Sequence, residues 1–243
     1  MPVAPFSTNA LHHVRRAALA LWLLVPVPTI GALMALWLAP GPIGGAVYAF
    51  AKFWLLALPL AWTILIDRQP PLGVVVTPSR TRRGHSLIVG AMLGVVISAG
   101  IVGVFLLLRS TFGVNAADLR ATATDAGFGS PANYLLFGAY LALVNSLLEE
   151  YVWRWFAFRA AASLMPPMIA VPVSALFFTL HHVVVLAAYF PVVLTALGSL
   201  GVFIGGCVWS GCFLRYGSIW PGYVSHAIVD VAILYVGWQL LFA

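Results

Sequence analysis

The chain has 243 residues, of which 63% are hydrophobic and only 7% are charged. Its mean hydropathy is +1.03. A soluble domain of this length does not need so much apolar surface, so the composition excludes an ordinary soluble protein and predicts a polytopic membrane protein. No repeat or separate soluble domain is visible, and we expect residues 1–243 to form a single all-α membrane domain.

Apolar runs long enough to cross a bilayer recur along the whole chain, since a spanning helix needs about 20 residues. The approximate spans are Ala17–Ala39, Ile43–Ile66, Ser86–Leu108, Tyr134–Phe158, Met168–Ala187, Val192–Leu214 and Ser218–Phe242. A further short or re-entrant helix within Pro131–Phe158 or Pro191–Arg215 would add an eighth element. We therefore expect a transmembrane helical bundle of seven to eight spans.

The formal net charge is +6, and the charged residues are distributed as expected for a membrane topology. With alternating spans, one side of the membrane receives Arg15, Arg16, Arg68, Arg80, Arg82, Arg83, Arg159 and Arg215, and the other receives Arg109 and Arg120 with Asp118 and Asp125. The positive-inside rule makes the first side, and with it the N-terminus, cytoplasmic. We expect a lipid bilayer and no nucleic acid as partner. The compact form suggests a bacterial inner membrane protein. The first run is longer than the apolar region of a cleaved signal sequence, so we expect an uncleaved signal anchor.

Two pairs of glycines have the spacing of four residues that lets helix backbones approach closely. They are Gly90 with Gly94, and Gly201 with Gly205. We interpret both pairs as positions of helix packing.

The two glutamates of the chain, Glu149 and Glu150, are adjacent within an apolar run. One acid near the centre of a spanning helix costs about 2.5–3.5 kcal/mol, and such residues are functional by default. Glu150 precedes Arg154 by four residues, which predicts an ion pair along one helix face. Glu149 points about 100° away and lacks that partner, so it is the better candidate for a catalytic base.

Two later spans carry further polar side chains. His181 and His182 are adjacent on the fifth, while His226 and Asp230 share one face of the last. Any one of them alone is typical of interhelical hydrogen bonding. Together with Glu149, however, they supply what peptide-bond hydrolysis needs, namely a base for water and donors for a tetrahedral oxyanion. The same residues could hold zinc through Glu149, His182 and His226, and the sequence leaves both possibilities open.

Three ordered motifs resemble those of the CAAX protease and bacteriocin-processing family of intramembrane endopeptidases, which includes the type II CAAX prenyl endopeptidases. The motifs are Glu149-Glu150-x-x-x-Arg154, Phe178-x-x-x-His182 and His226-x-x-x-Asp230. The resemblance covers about residues 135–236 and says little about the first three spans. It implies that Glu150 and Arg154 support the local structure.

For the remaining motif residues the resemblance implies direct roles. Glu149 and His182 would activate the attacking water, and His226 with Asp230 would stabilise the oxyanion. Asp230 departs from the asparagine of prenyl endopeptidases, and an ionised carboxylate would repel an oxyanion. Asp230 would therefore be protonated, or would orient His226.

The doubled histidine leaves one assignment open, because Phe177 and His181 have the same spacing as Phe178 and His182. Similarity of the segment SALFFTLHH to the family favours His182, with His181 as the alternative. Because a helix turns about 100° per residue, we expect only one of the two rings to face the site.

The resemblance also implies a glutamate-dependent mechanism with no cofactor, with zinc as the less favoured alternative. The expected substrate is a membrane-associated peptide or protein. A non-catalytic bacteriocin-immunity or scaffold protein is the main alternative function. A proton-coupled transporter is less favoured because we expect the intramembrane ionisable residues to be confined to the C-terminal half.

Overall fold

A computed structural model of the protein describes residues 8–68, 80–108, 116–125 and 127–243. Within these ranges the chain forms helices and no strands, which confirms the all-α class. The helices are α1 (Leu11–Leu38), α2 (Pro42–Ile66), α3 (Gly84–Leu107), α4 (Ala116–Asp125), α5 (Pro131–Ala162), α6 (Pro167–Tyr189), α7 (Val192–Tyr216) and α8 (Trp220–Leu241).

All of these helices except the short α4 are long and apolar enough to cross a membrane. The prediction of seven spans is therefore confirmed for the described part of the chain. The possible eighth element is absent from both places where the sequence suggested it, since α5 and α7 each run as one helical segment.

Helix α5 is irregular. It begins with Pro131 in its first turn, and the Ser130 hydroxyl accepts a hydrogen bond from the Asn133 N–H at 3.2 Å. Two π-helical stretches, Leu141–Asn145 and Tyr151–Phe158, then flank a short α-helical stretch, Ser146–Glu150. Wider π-helical turns are frequent at functional sites, and here they lie on both sides of the adjacent glutamates.

The second half of α5 lies at the centre of the bundle. Every residue from Val152 to Phe158 is buried. The surrounding core includes Leu24 of α1, Leu55 of α2, Phe178 of α6 and Trp209 of α7. Side chains that follow the two glutamates are therefore held by four other helices.

Close packing of α3 against α8 depends on the first glycine pair. A Cβ atom at Gly90 would collide with the backbone of Pro221, and one at Gly94 would lie 2.9 Å from the Ser225 carbonyl oxygen. The interpretation of Gly90 and Gly94 as packing positions is confirmed.

The interpretation of the second glycine pair is wrong. A Cβ atom at Gly201 would meet nothing within 4 Å, and the three atoms nearest to one at Gly205 all belong to the Trp209 side chain of its own helix. The close approach of α7 to α6 occurs instead at Gly206, where a Cβ atom would lie 3.0 Å from that of Ala175. Spacing alone does not reveal which face of an apolar helix meets a neighbour.

Three helix ends that carry predicted cytoplasmic charges meet at one end of the bundle. The start of α1 with Arg16, the end of α2 with Asp67 and the end of α5 with Arg159 line one cavity. Their common side agrees with the predicted topology, while the cytoplasmic assignment of this end stays a prediction. Arg109 lies outside the described residues, as do the side chains of Arg80, Arg82, Arg83 and Asp118.

Candidate active site

Glu150 is completely buried, and its charge is compensated from two helices. Its Oε1 atom lies 3.2 Å from Nη1 of Arg154 on the same helix and 3.1 Å from Nδ1 of His226 on α8. The Arg154 contact is an ion pair by distance, although its alignment is not that of a hydrogen bond. Its Oε2 atom lies against Gly222 of α8, where an added Cβ would collide with it. Glu150 thus joins α5 to α8.

Arg154 is held by aromatic faces as well as by charge. Its guanidinium carbon lies 4.6 Å from the ring centroid of Phe178 and 5.0 Å from that of Trp209. Cation–π attraction is strongest where water is excluded, and Arg154 is 1% exposed. The phenylalanine of the second motif therefore has a physical role, which is to provide one face of this cage.

His226 stands between the two glutamates. Its ring stacks on Trp209 with centroids 3.9 Å apart and planes 15° apart. Because Nδ1 contacts Glu150, Nε2 faces the other way, 3.7 Å from Oε2 of Glu149 and 3.8 Å from Oδ1 of Asp230. The imidazole thus connects the fully buried carboxylate to the more open part of the site.

The two glutamates differ in access. The Glu149 side chain is 12% exposed and that of Asp230 is 17% exposed, whereas Glu150 is inaccessible. Of the two glutamates, only Glu149 can therefore meet a water molecule or a substrate. This difference agrees with the sequence-based preference for Glu149 as the reactive carboxylate, and the catalytic role itself stays a prediction.

Asp230 contacts a residue that the sequence analysis did not select. Oγ of Ser146 lies 2.8 Å from Oδ2 of Asp230, and it lies equally close to the carbonyl oxygens of Leu141 and Ala142 in the π-helical turn. A hydroxyl has one proton to donate and two lone pairs to accept with. Ser146 can therefore donate to Asp230 when that carboxylate is ionised, or donate to a carbonyl and accept a hydrogen bond from Asp230 when Asp230 is protonated.

Both histidines of α6 lie near Glu149. One carboxylate oxygen of Glu149 and one ring nitrogen each of His181 and His182 all lie within 4.8 Å of one another. The two rings are 4.1 Å apart, and His181 also stacks on Trp153. The expectation that only one ring faces the site is wrong. The two Cα–Cβ bonds leave the helix in different directions, but the ring ends of both side chains converge on Glu149.

The environments of the two histidines nevertheless differ. Nδ1 of His182 lies 2.9 Å from the Phe178 carbonyl oxygen, so Nδ1–H can donate there and Nε2 is left with its lone pair. His181 is buried, and its Nδ1 has no hydrogen-bond partner among the described residues. His182 is therefore the ring with a fixed tautomer and an available acceptor nitrogen.

The possible metal ligands in the structure differ from those considered from the sequence. Among the described residues, the cluster with suitable donor spacing contains Glu149, His181 and His182, and it does not include His226. Histidine nitrogens with a carboxylate oxygen are ordinary zinc ligands, and the His182 contact to a backbone carbonyl is typical of a ligating histidine. The donor set fits zinc chemically.

Lys52 is a second residue that sequence reasoning missed. It lies in the middle of α2, and its ammonium group is 5.6 Å from the Tyr48 ring centroid. The expectation that intramembrane ionisable residues are confined to the C-terminal half is wrong. The signal was visible, because Lys52 is the one lysine of the chain and lies within an apolar run.

Comparison with known proteins supports the class that this site defines. An all-α bundle of membrane-spanning helices with carboxylates and histidines converging inside it is compatible with an intramembrane hydrolase. Residues 131–232 match the family model described as type II CAAX prenyl endopeptidase Rce1-like. No match was found among the curated proteins or among the solved structures.

The matched segment extends from the start of α5 into α8 and contains every motif residue named above. The resemblance seen in the sequence is therefore confirmed, and this region of the chain is Rce1-like. The match supports, in general terms, a CAAX-type intramembrane endopeptidase and hence a hydrolase.

The buried pair predicts a measurable coupling in stability. Removing one member of a buried ion pair costs about 3–5 kcal/mol because the other charge stays buried without compensation. We expect Glu150→Gln and Arg154→Met each to lower the thermal unfolding temperature in detergent. The double variant should lose less than the sum of the two. Arg215→Gln, which changes an exposed cation, is the control and should have little effect. Strict additivity would contradict the pairing.

Proposed function

We propose that the protein is an intramembrane endopeptidase that hydrolyses a peptide bond of a membrane-associated peptide or protein with water activated by Glu149 and His182. The observation that carries this proposal is the difference in burial and contacts between the two adjacent glutamates. Glu150 is buried against Arg154 and His226, whereas Glu149 is accessible and close to the histidines of α6. One carboxylate is structural and the other is free to react.

The spacing of Glu149 and His182 suits a shared water molecule. A carboxylate oxygen of Glu149 and a ring nitrogen of His182 lie within 4.8 Å of each other. Two hydrogen bonds of about 2.8 Å to one water at a tetrahedral angle span about 4.6 Å. Water held in this way loses a proton to Glu149 as it attacks the substrate carbonyl carbon, while the lone pair on Nε2 of His182 orients its second hydrogen.

His226 is placed to stabilise the oxyanion that this attack produces. Contact of Nδ1 with the Glu150 carboxylate favours an imidazolium, in which Nε2–H points toward Glu149 and Asp230. A charged donor forms a stronger hydrogen bond than a neutral one. Donors fixed before the reaction are among the largest contributors to catalysis of acyl transfer.

Asp230 serves best in its protonated form. Its Oδ2–H then donates a hydrogen bond to Ser146, and the Ser146 hydroxyl donates to a carbonyl oxygen of the π-helical turn. Oδ1 stays beside Nε2 of His226. A neutral acid does not repel an oxyanion. This arrangement lets Asp230 position Nε2 of His226 without opposing the charge of the oxyanion.

The same protonation states balance the charge of the site. Glu149 and Glu150 contribute two negative charges, and Arg154 and His226 contribute two positive ones. With Asp230 neutral, the group as a whole carries no net charge. A buried cluster without net charge avoids the cost of an isolated ion in an apolar medium.

The base assignment is tested by an isosteric change. Glu149→Gln keeps the volume and loses the basicity, so turnover should fall by about 10²–10⁴-fold or more while the thermal unfolding temperature stays unchanged. Purified protein in proteoliposomes would be incubated with a library of lipid-anchored peptides, with products identified by mass spectrometry. The matched control is Glu150→Gln, which should lower stability and reduce activity only in part. Full proteolysis by a well-folded Glu149→Gln protein would remove Glu149 from the mechanism.

Substitutions of His181 and His182 distinguish a metal-free mechanism from a zinc mechanism. Without metal, His182→Ala should be inactive, His181→Ala should keep measurable activity, and chelators should have no effect. Elemental analysis would find far less than one zinc per chain. A zinc site formed by Glu149, His181 and His182 gives the opposite pattern, in which His181→Ala loses metal and activity together.

Replacement of the Asp230 carboxyl group by the amide of asparagine tests the role of Asp230. Asp230→Asn keeps a group that can donate to Ser146 and cannot ionise, so we expect it to retain activity and to extend the pH–rate profile toward higher pH. The measurement is the pH dependence of turnover for wild type and variant. Loss of activity in a folded Asp230→Asn protein would show that the carboxyl group itself exchanges a proton during the reaction.

A further inference from the structure

A second polar site lies at the end of the bundle that carries the N-terminus. It is a cavity of about 340 Å³ between the start of α1, the end of α2 and the end of α5. This volume is in the range of about 300–1,000 Å³ that is usual for small-molecule sites. The residues that line it include none of Glu149, Glu150, His182, His226 or Asp230. The cavity is therefore separate from the candidate active site.

The charged groups of this cavity are predominantly cationic. Its walls carry Arg16 and Arg159, against the single acid Asp67. In the described part of the chain, neither arginine forms an ion pair with a carboxylate. Arg159 instead lies over the Trp155 ring, 5.3 Å from its centroid. Stacking orders a guanidinium and leaves its edge donors available to an anion.

Trp155 provides an independent sign of a missing acceptor. It lines the cavity and is 2% exposed, and its indole N–H has no hydrogen-bond partner among the described residues. Buried donors in proteins are nearly always paired. Because the N–H has almost no accessible surface, an anion in the cavity would pair with it only after a shift of the ring.

The remaining walls are apolar, with Ala17, Ala20, Trp62 and Ile66 among them. The cavity thus offers cations and a hydrogen-bond donor beside hydrocarbon surface. It also lies where three spanning helices end, which is the depth of the lipid headgroups. Basic pockets between helices at this depth suit anionic headgroups, and tryptophan is common there.

We propose that this cavity binds the phosphate headgroup of an anionic phospholipid. The two arginines contact the phosphate, Trp155 adds its N–H, and the apolar walls cover the glycerol region. Because Trp155 and Arg159 belong to the same helix as Glu149, a bound lipid fixes the end of α5 that follows the catalytic motif.

The experiment measures lipid binding to the purified full-length protein in a neutral detergent. Short-chain phosphatidylglycerol, phosphatidylcholine and inorganic phosphate would each be titrated, with bound ligand counted by native mass spectrometry. Each arginine near the headgroup level contributes about a five-fold gain in affinity. We expect Arg16→Gln with Arg159→Gln to weaken phosphatidylglycerol binding about 25-fold, and either single change to have about a five-fold effect.

The matched control is Arg215→Gln. Arg215 is also exposed at the end of a spanning helix and also lies over a ring, that of Tyr216 at 5.6 Å, but it does not line the cavity. Its loss should change binding less than two-fold. An equal effect of Arg215→Gln would reduce the result to non-specific charge attraction and overturn the proposal. Phosphatidylcholine binding as tightly as phosphatidylglycerol, or displacement of the lipid by inorganic phosphate at equal concentration, would overturn it as well.

Discussion

The compensation of one completely buried carboxylate organises the active region. Glu150 is a charge inside a membrane bundle, and the bilayer offers it no water. Nη1 of Arg154, one turn along the same helix, lies 3.2 Å from the Glu150 carboxylate. Nδ1 of His226 on α8 lies 3.1 Å from the same carboxylate. Phe178 and Trp209 then enclose Arg154, which ties α6 and α7 to the same point. Four helices are thus fixed in register by one anion, and the reactive groups are placed by that register.

The consequence is a site with an inner and an outer part. The inner part, with Glu150, Arg154 and the Nδ1 side of His226, is inaccessible and fixed. The outer part, with Glu149 and the Nε2 side of the same imidazole, can be reached. The ring of His226 belongs to both, so a change in the inner pair must alter the outer geometry. Structural and catalytic effects of substitutions at Glu150 therefore cannot be independent.

The sequence predicted the spans because hydropathy over some 20 residues depends only on composition. It also predicted the convergence of the motif helices through resemblance to a family. It could not predict which helix faces meet, because apolar faces look alike, and Gly201 was therefore misinterpreted. Nor could it predict the pairing of Ser146 with Asp230, which depends on contact between α5 and α8. Lys52 was predictable, since a lysine in mid-span is conspicuous in the sequence itself.

Convergence of His181 and His182 has a similar explanation. Helical angles describe where Cβ atoms point, whereas an imidazole reaches several ångströms beyond its Cβ and can turn about two bonds. Here Trp153 supports one ring and the Phe178 carbonyl fixes the other, and both end near Glu149. Two adjacent histidines on one helix can therefore serve one carboxylate. The stacking partner and the hydrogen bond decide their different roles, and neither is visible in the spacing of the motif.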